Sequence, residues 1–142
     1  MKEKGFALTD VIVAIVIIML FTGVIVSVSY NIYLQSNFIK RNNKATNYIV
    51  EIFEYAKSLD FDNITFQNIN SEFYSEHGIN IAPMPENESN INLSTGYNIF
   101  LEIEDQELPQ EEYVYAKKIK VDVRYKLGKK VKKVSMETLI NN

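Results

Sequence analysis

Residues 11–28, VIVAIVIIMLFTGVIVSV, form a run of eighteen residues without a charged side chain. Only Thr22, Gly23 and Ser27 interrupt its apolar character. A run of about this length is where a membrane-spanning helix becomes the first interpretation of a sequence. We therefore expect this segment to cross a bilayer once.

The charges that flank the apolar run predict its orientation. Lys2 and Lys4 precede it, whereas the next basic residues, Lys40 and Arg41, lie well beyond its end. Basic residues next to a membrane helix are concentrated on the cytoplasmic side. We expect the N-terminus to be cytoplasmic and everything after Tyr30 to lie outside the plasma membrane.

Two simpler interpretations of the apolar run stay open. In the first, Lys2 and Lys4 are the basic region of a secretory signal peptide that is cut at the small-x-small sequence 27–29. The apolar regions of such peptides are usually only about 7–15 residues long, and Asp10 places a charge at the junction where they are uncharged. The second is a plain single-pass anchor, which explains neither Asp10 nor the pattern around it.

The residues 4–10, KGFALTD, resemble the class III leader of type IV pilins and pseudopilins. In that family a short basic leader is followed by glycine, phenylalanine, a small or apolar stretch, and an acid five residues after the cut. The resemblance implies that prepilin peptidase cleaves between Gly5 and Phe6 on the cytoplasmic side of the membrane, and that Phe6 is then N-methylated. It also implies a structural subunit of a filament, a minor pilin or minor pseudopilin that can prime or cap assembly.

Asp10 stands where the family carries its assembly acid. A charged side chain entering hydrocarbon is costly, with contested estimates that start near ~2.5 kcal/mol at the bilayer centre. Cleavage would leave a positive α-amine on Phe6, and Asp10 of one subunit can pair with that amine on another. Relatives usually carry glutamate here, which is one methylene longer. This departure, together with a helix that lacks proline, favours a minor subunit.

The same resemblance implies the partners and the location of the protein. The partners are other pilin subunits through the N-terminal helix, prepilin peptidase, and a membrane assembly platform driven by a separate ATPase. The subunit would first be a single-pass protein of the plasma membrane and then part of a cell-surface or extracytoplasmic filament.

After Tyr30 the pattern becomes amphipathic, with apolar residues at steps of three, four or seven. The stripe comprises Leu34, Phe38, Ala45, Ile49, Ile52, Ala56 and Leu59. It predicts one helix from Ala7 to about Leu59, with a break near Asn42-Asn43 as the alternative. We expect a leader peptide at 1–5, a transmembrane half of the helix at 6–30 and an amphipathic half at 31–59.

The remaining chain divides into an asparagine-rich part and a β-rich part. Residues 60–95 lack strong periodicity and predict a connecting loop region with a short helix or strand around Ile64–Tyr74. Residues 96–142 contain alternating apolar positions, which predict the antiparallel sheet of a globular head. Gly128 marks a hairpin turn, and because Val131 is out of phase with Val134 we expect a bulge or a longer loop there. The expected fold class is α+β and pilin-like, a long helix packed against a small antiparallel sheet.

Enzymatic chemistry has little support in the sequence. The chain of 142 residues has no cysteine, so a disulfide or a thiolate metal site is excluded. His77, the only histidine, lies in a polar stretch where no nucleophile or orienting acid can be identified. No nucleotide-binding loop or metal-ligand spacing is present. We expect no enzyme activity and no cofactor.

An acidic stretch is a candidate calcium site, of the kind that some pseudopilins have in a C-terminal loop. Its carboxylates could supply the oxygen ligands that calcium prefers; they belong to Glu102, Glu104, Asp105 and Glu107. A solvated acidic strand end is the favoured interpretation of the same residues.

Basic residues are concentrated late in the chain, although the net charge is -3. Residues 117–133 include nine lysines and arginines, and four of them form the cluster Lys129, Lys130, Lys132 and Lys133. This cluster could contact phosphates, as in a competence pseudopilin that contacts DNA. The alternative is that basic and acidic strands pair across the sheet or between subunits. A third possibility is a signal-anchored extracytoplasmic binding domain that never polymerises.

Overall fold

The structure is a computed structural model that describes the backbone of residues 3–85, 96–107 and 114–142, and the side chains from Thr9 onward within those ranges. The chain divides into two compact units, Met1–Ile39 and Lys40–Asn142. Helix α1, Glu3–Ser58, begins in the first unit and ends in the second. The expectation of one long N-terminal helix is therefore confirmed, and the alternative break near Asn42-Asn43 is absent.

The sequence predicted that residues 60–95 form a connecting loop with a short element around Ile64–Tyr74. The structure has a short 3₁₀ turn in this range, Phe61–Asn63, and a second α-helix, α2, Phe66–His77. Thr65 caps the start of α2, because its hydroxyl accepts a hydrogen bond from the Asn68 backbone N–H at 3.3 Å. Gly78 ends the helix in the left-handed conformation, with φ 65° and ψ 19°. Residues 86–95 of this range lie outside the described part of the chain.

Four strands form one sheet with the order β1-β2-β3-β4. They are β1, Ile81–Pro83, β2, Tyr97–Glu107, β3, Val114–Leu127, and β4, Lys130–Asn141. The pairs β2–β3 and β3–β4 are antiparallel, but β1 runs parallel to β2. The expected antiparallel sheet is therefore corrected to a mixed sheet.

Strand β1 is too short to show an alternating pattern, which explains why the sequence did not reveal it. It lies at the edge of the sheet, where proline at position 83 removes no ladder hydrogen bond. The backbone N–H of Ile81 donates to the side-chain oxygen of Asn70 in α2 at 2.7 Å. A helix side chain therefore satisfies a backbone donor of this edge strand.

The β3–β4 hairpin closes over two residues. Leu127 pairs with Lys130, and the register continues without a shift as far as Ala116 opposite Asn141. Gly128 has φ 61°, which suits the first central position of a type II′ turn. The predicted bulge or longer loop is therefore wrong. Val131 is exposed on an edge strand, so its position relative to Val134 does not indicate which face of the strand is buried.

The core of the second unit is formed by α1, α2 and one face of the sheet. The helix residues of the core are Ala45, Tyr48, Ile49, Ile52, Phe53, Ala56, Ile69 and Phe73, and its sheet residues include Ile81, Ile99, Leu101, Ile119, Val121, Val123 and Tyr125. The predicted stripe is buried at Ala45, Ile49, Ile52 and Ala56, and Leu59, which follows the end of α1, is partly buried. The chain is thus an α+β protein in which the last turns of a long apolar helix pack on a four-stranded mixed sheet.

Candidate functional site

The apolar segment 11–28 of α1 is uncovered in the first unit. Every large apolar side chain in it is between 47% and 68% exposed, and none of the best membrane-spanning window is buried. α1 is the one helix of the described residues that is long and apolar enough to cross a membrane. Such a continuous apolar surface on a protein marks a contact with lipid or with other proteins.

The predicted processing residues lie at the start of this helix. Gly5 and Phe6 belong to α1, and their side chains lie outside the described part of the structure, as do Met1 and Lys2 altogether. Asp10 is exposed on the same helix, immediately before the apolar segment. Its carboxylate is therefore accessible to a partner that approaches the helix in this region.

The four lysines of the basic cluster do not form one surface. Lys129 is in the hairpin turn, and the other three are in β4. Lys130 and Lys132 are at even positions, which they share with Val134 and Ile140 on the face that packs against the core. Lys133 lies on the opposite face, hereafter the outer face, where its Nζ is 2.8 Å from Oδ2 of Asp122. The Lys133 ammonium is thus engaged in an ion pair within the fold.

Asp122 is the centre of a charged network that the sequence did not reveal. It lies on the outer face of β3 and is 1% exposed. Three groups surround its carboxylate: the Lys133 ammonium, the Ser135 hydroxyl, which donates a short hydrogen bond to Oδ1, and the Arg124 guanidinium at 3.3 Å. Arg124 also stacks on the ring of Phe100, 5.1 Å from its centroid.

Electrostatics favour the ionised form of this aspartate. Burial alone would raise the pKa of Asp122, but the hydrogen bonds and charges of Lys133, Ser135 and Arg124 outweigh it, and the pKa lies below its ordinary value of 3.8. The sequence signal for this network is weak, because only the strand register shows that these residues are neighbours.

The acidic residues of β2 face the basic residues of β3. Glu102 pairs with Lys120 in the register, with 3.6 Å between their charged atoms, and Glu104 lies opposite Lys118. Lys118 forms an ion pair with Glu137 of β4 at 3.3 Å. The alternative in which acidic and basic strands pair across the sheet therefore describes these residues.

The described carboxylates of the acidic stretch, at 102–107, are not brought together into a calcium site. Within the ranges 3–85, 96–107 and 114–142, no group of three or more acidic or histidine side chains could hold a metal ion. Asp105 lies opposite Lys117, whose ammonium donates to the backbone carbonyls of Phe61 and Ile64 at 3.1 Å. The part of the acidic stretch at 108–112 is outside the described residues.

His77 is the last residue of α2 and has an acidic partner that the sequence did not identify. Its Nε2 is 2.8 Å from Oε2 of Glu51 on α1, and its ring contacts those of Phe73 and Tyr48 with centroids 4.5 and 5.1 Å away. A histidine at a helix C-terminus also interacts favourably with the helix dipole when protonated. The pair joins α2 to α1, which is a structural role that requires no substrate.

Two hydrogen bonds connect the hairpin end of the sheet to α1 within the second unit. Nη1 of Arg41 donates to the carbonyl of Lys126 at 2.6 Å, and the buried Tyr125 hydroxyl donates to the Asn42 side-chain oxygen at 3.3 Å. Burial, followed by the neighbouring Tyr97, raises the pKa of Tyr125. Arg41 and Asn42, which lie at or next to the alternative break near Asn42-Asn43, are therefore a point of attachment in the second unit.

Comparisons with protein-family models, with curated proteins and with solved structures find no match for this chain.

Proposed function

We propose that the chain is a structural subunit of a type IV pilus-like filament, a minor pilin or minor pseudopilin. A prepilin peptidase cleaves it between Gly5 and Phe6, and Phe6 is then N-methylated. The mature subunit enters the filament through its N-terminal helix, after which it can prime or cap assembly. It carries out no enzymatic reaction.

The exposed apolar segment 11–28 is the observation that carries this proposal. The same helix contributes to a core from Ala45 onward, whereas the large apolar side chains of residues 11–28 are between 47% and 68% exposed. A head with its own core does not need this segment for folding. The segment is therefore available first to the bilayer and then to the helices of other subunits.

The position of Asp10 supports the filament proposal over a simple membrane anchor. It is exposed immediately before the apolar segment, where a lone carboxylate entering hydrocarbon is unfavourable. The α-amine of Phe6, created by cleavage, offers an opposite charge on a neighbouring subunit. Such a pair compensates both charges only when the helices have the correct axial register.

The cellular location of the protein follows from the proposed steps of membrane insertion, cleavage and filament assembly. The precursor is a single-pass protein of the plasma membrane with a cytoplasmic N-terminus. A membrane assembly platform with a separate ATPase then extracts it into a cell-surface or extracytoplasmic filament.

Processing by prepilin peptidase tests the proposal. The full chain is co-expressed with a prepilin peptidase and its intact mass is measured, with Gly5→Ala as the test variant and Gly23→Ala as the matched control. An added Cβ at Gly23 has no atom within 4 Å, so the control changes the same residue type in the same helix without a clash. We expect wild type and Gly23→Ala to begin at Phe6, and Gly5→Ala to keep its leader.

Other N-termini would contradict the proposal. An unprocessed chain that begins at Met1 in the presence of the peptidase would indicate a plain anchor of a binding domain. A chain that begins near Tyr30 would indicate a secretory signal peptide.

DNA contact by the basic cluster is the weaker alternative. Lys129 lies in the turn, Lys130 and Lys132 lie on one face of the sheet, and Lys133 contacts Asp122 on the other face. The four charges therefore do not form one surface along which a DNA backbone could bind. Replacement of all four by glutamine should leave the binding of a DNA duplex unchanged in a fluorescence-anisotropy titration at low salt. A marked loss of binding in that variant would support the DNA alternative.

A further inference from the structure

One end of the second unit carries basic side chains without acidic partners. They come from the first residues of that unit, in α1, and from the β3–β4 hairpin. We call them the basic rim: Lys40, Arg41, Lys126, Lys129 and Lys130, all exposed. Among the described residues, none of the five forms an ion pair. The rim is therefore a surface of uncompensated positive charge.

Hydrogen bonds hold the two parts of the rim together. Nη1 of Arg41 donates to the Lys126 carbonyl at 2.6 Å, and the Tyr125 hydroxyl donates to the Asn42 side chain at 3.3 Å. The acceptor of the Arg41 bond is a neutral carbonyl, so the guanidinium keeps its net positive charge. The start of α1 in the second unit and the hairpin therefore present their charges side by side.

Acidic residues are absent from the segments that carry the rim. Residues 11–50 and residues 123–136 contain neither aspartate nor glutamate. Asp122, the nearest acid in β3, is buried and engaged by Lys133 and Arg124. The acidic residues of β2 and β4 form their ion pairs with Lys118 and Lys120, further from the hairpin. A surface with charges of one sign attracts a partner of the opposite sign.

The length of α1 before the rim matches a lipid bilayer. Residues 11–39 are 29 residues without a charged side chain, or about 43 Å of helix at ~1.5 Å per residue. A bilayer with its headgroup regions is roughly 40–45 Å thick. Tyr30 and Tyr33 are exposed late in this stretch, and tyrosine is typical of the membrane interface. Lys40 and Arg41 therefore follow where headgroup phosphates are expected.

We propose that the basic rim binds anionic phospholipid headgroups of the bilayer in which α1 is inserted, on the side that carries the head. A bilayer surface is a plane of charge, so it can contact side chains that project from different faces at one end of the molecule. Because α1 tethers the head to that surface, individually weak contacts are sufficient. The inference rests on membrane insertion, the first step of the proposed function, and not on cleavage or filament assembly.

Fluorescence quenching in lipid vesicles tests the proposal on the full chain. Val131→Cys gives the cysteine-free protein one exposed thiol beside the rim, which a membrane-impermeant fluorophore labels after reconstitution. The vesicles consist of phosphatidylcholine alone or with about 30% phosphatidylglycerol, which makes the surface anionic. Both contain a lipid with a headgroup nitroxide, which quenches only a fluorophore at the headgroup layer.

We expect about twofold more quenching in the anionic vesicles than in the neutral vesicles at about 0.1 M salt. The excess should disappear at about 1 M salt, because the screening length falls from about 10 Å to about 3 Å. Equal quenching in the two kinds of vesicle at the lower salt concentration would overturn the proposal.

Charge variants identify the rim as the contact. Lys126→Gln, Lys129→Gln and Lys130→Gln together remove three of its charges and should abolish most of the excess quenching. The matched control removes three lysine charges from other parts of the second unit, through Lys57→Gln, Lys118→Gln and Lys120→Gln, and should keep the excess. The ion pairs that the control loses are partly exposed and contribute little to stability. Equal effects of the two triple variants would refute the assignment to the rim.

Two further measurements separate the competing explanations. Loss of DNA-duplex binding in the rim variant, with unchanged quenching, would assign the rim to nucleic acid and overturn the proposal. Extraction of the chain from the vesicles by alkaline carbonate would contradict membrane insertion, and with it both this inference and the proposed function. The N-terminus found by intact mass concerns the proposed function alone.

Discussion

At the scale of single residues, Asp122 shows how a charged side chain can be buried when neighbouring groups compensate its charge. It is 1% exposed, yet a lysine, an arginine and a serine surround its carboxylate. The removal of one member of a buried charged group leaves the others desolvated without compensation. The network should therefore contribute more to stability than the exposed ion pairs on the same face of the sheet.

Asp122→Asn should lower the free energy of unfolding of the head by about 3 kcal/mol, because the largely buried Arg124 loses its counter-charge. Glu102→Gln is the control, since Glu102 and Lys120 are 37% and 40% exposed and their pair should contribute less than about 0.5 kcal/mol. Denaturant unfolding of the full chain in detergent, followed by near-ultraviolet circular dichroism, measures both. Equal losses would show that the network has no special role.

The pKa of Asp122 predicts an acid-labile contribution to stability. Its pKa in the folded head is below its ordinary value of 3.8, so the unfolded state binds the proton more readily. The contribution is complete above about pH 5 and is lost as the pH falls through the folded pKa. Unfolding titrations should show that wild type loses its advantage over Asp122→Asn on acidification. A constant difference between the two proteins at all pH values would contradict this assignment.

At the scale of secondary-structure elements, the end of α2 depends on one backbone conformation. Gly78 has φ 65° and ψ 19°, a left-handed conformation in which a Cβ is unfavourable, and its N–H donates to the Tyr74 carbonyl at 2.8 Å. This turn directs the chain from α2 into β1. It also holds His77 at the helix end, beside Glu51.

Gly78→Ala should destabilise the head by about 1 kcal/mol, because alanine is strained in the left-handed region. Gly78→Asn should cost less, since asparagine tolerates that region better. An added Cβ has no atom within 4 Å, so a steric clash does not contribute to either change. Chemical denaturation of the two variants gives the comparison. A cost for asparagine equal to that for alanine would argue against a conformational origin.

The long elements could be predicted from sequence, and the short ones could not. The stripe from Ala45 to Ala56 repeats at helical spacing, and the segment from Ile119 to Tyr125 has four alternate positions that face the core, so burial is visible in both patterns. Strand β1 has three residues, and its pairing with β2 depends on contacts distant in sequence. The residues around Asp122 meet only through strand register, a non-local property that no single segment displays.

At the scale of the whole molecule, two units with different surfaces share one helix. The second unit, Lys40–Asn142, has a core of its own, whereas the apolar side chains of residues 11–28 in the first unit are exposed. Such an uncovered apolar surface marks a contact with lipid or with other proteins. The filament proposal supplies both environments in succession, the bilayer before assembly and neighbouring helices after it.

The most direct test of that proposal is the intact mass of the chain in filaments sheared from the surface of its host. The account predicts that the sheared fraction contains the chain as residues 6–142 with a methylated Phe6 amine. It also predicts that Gly5→Ala leaves the protein in the membrane fraction and absent from the filaments. A wild-type chain that stays in the membrane with Met1 at its N-terminus, and is absent from sheared filaments, would contradict the account.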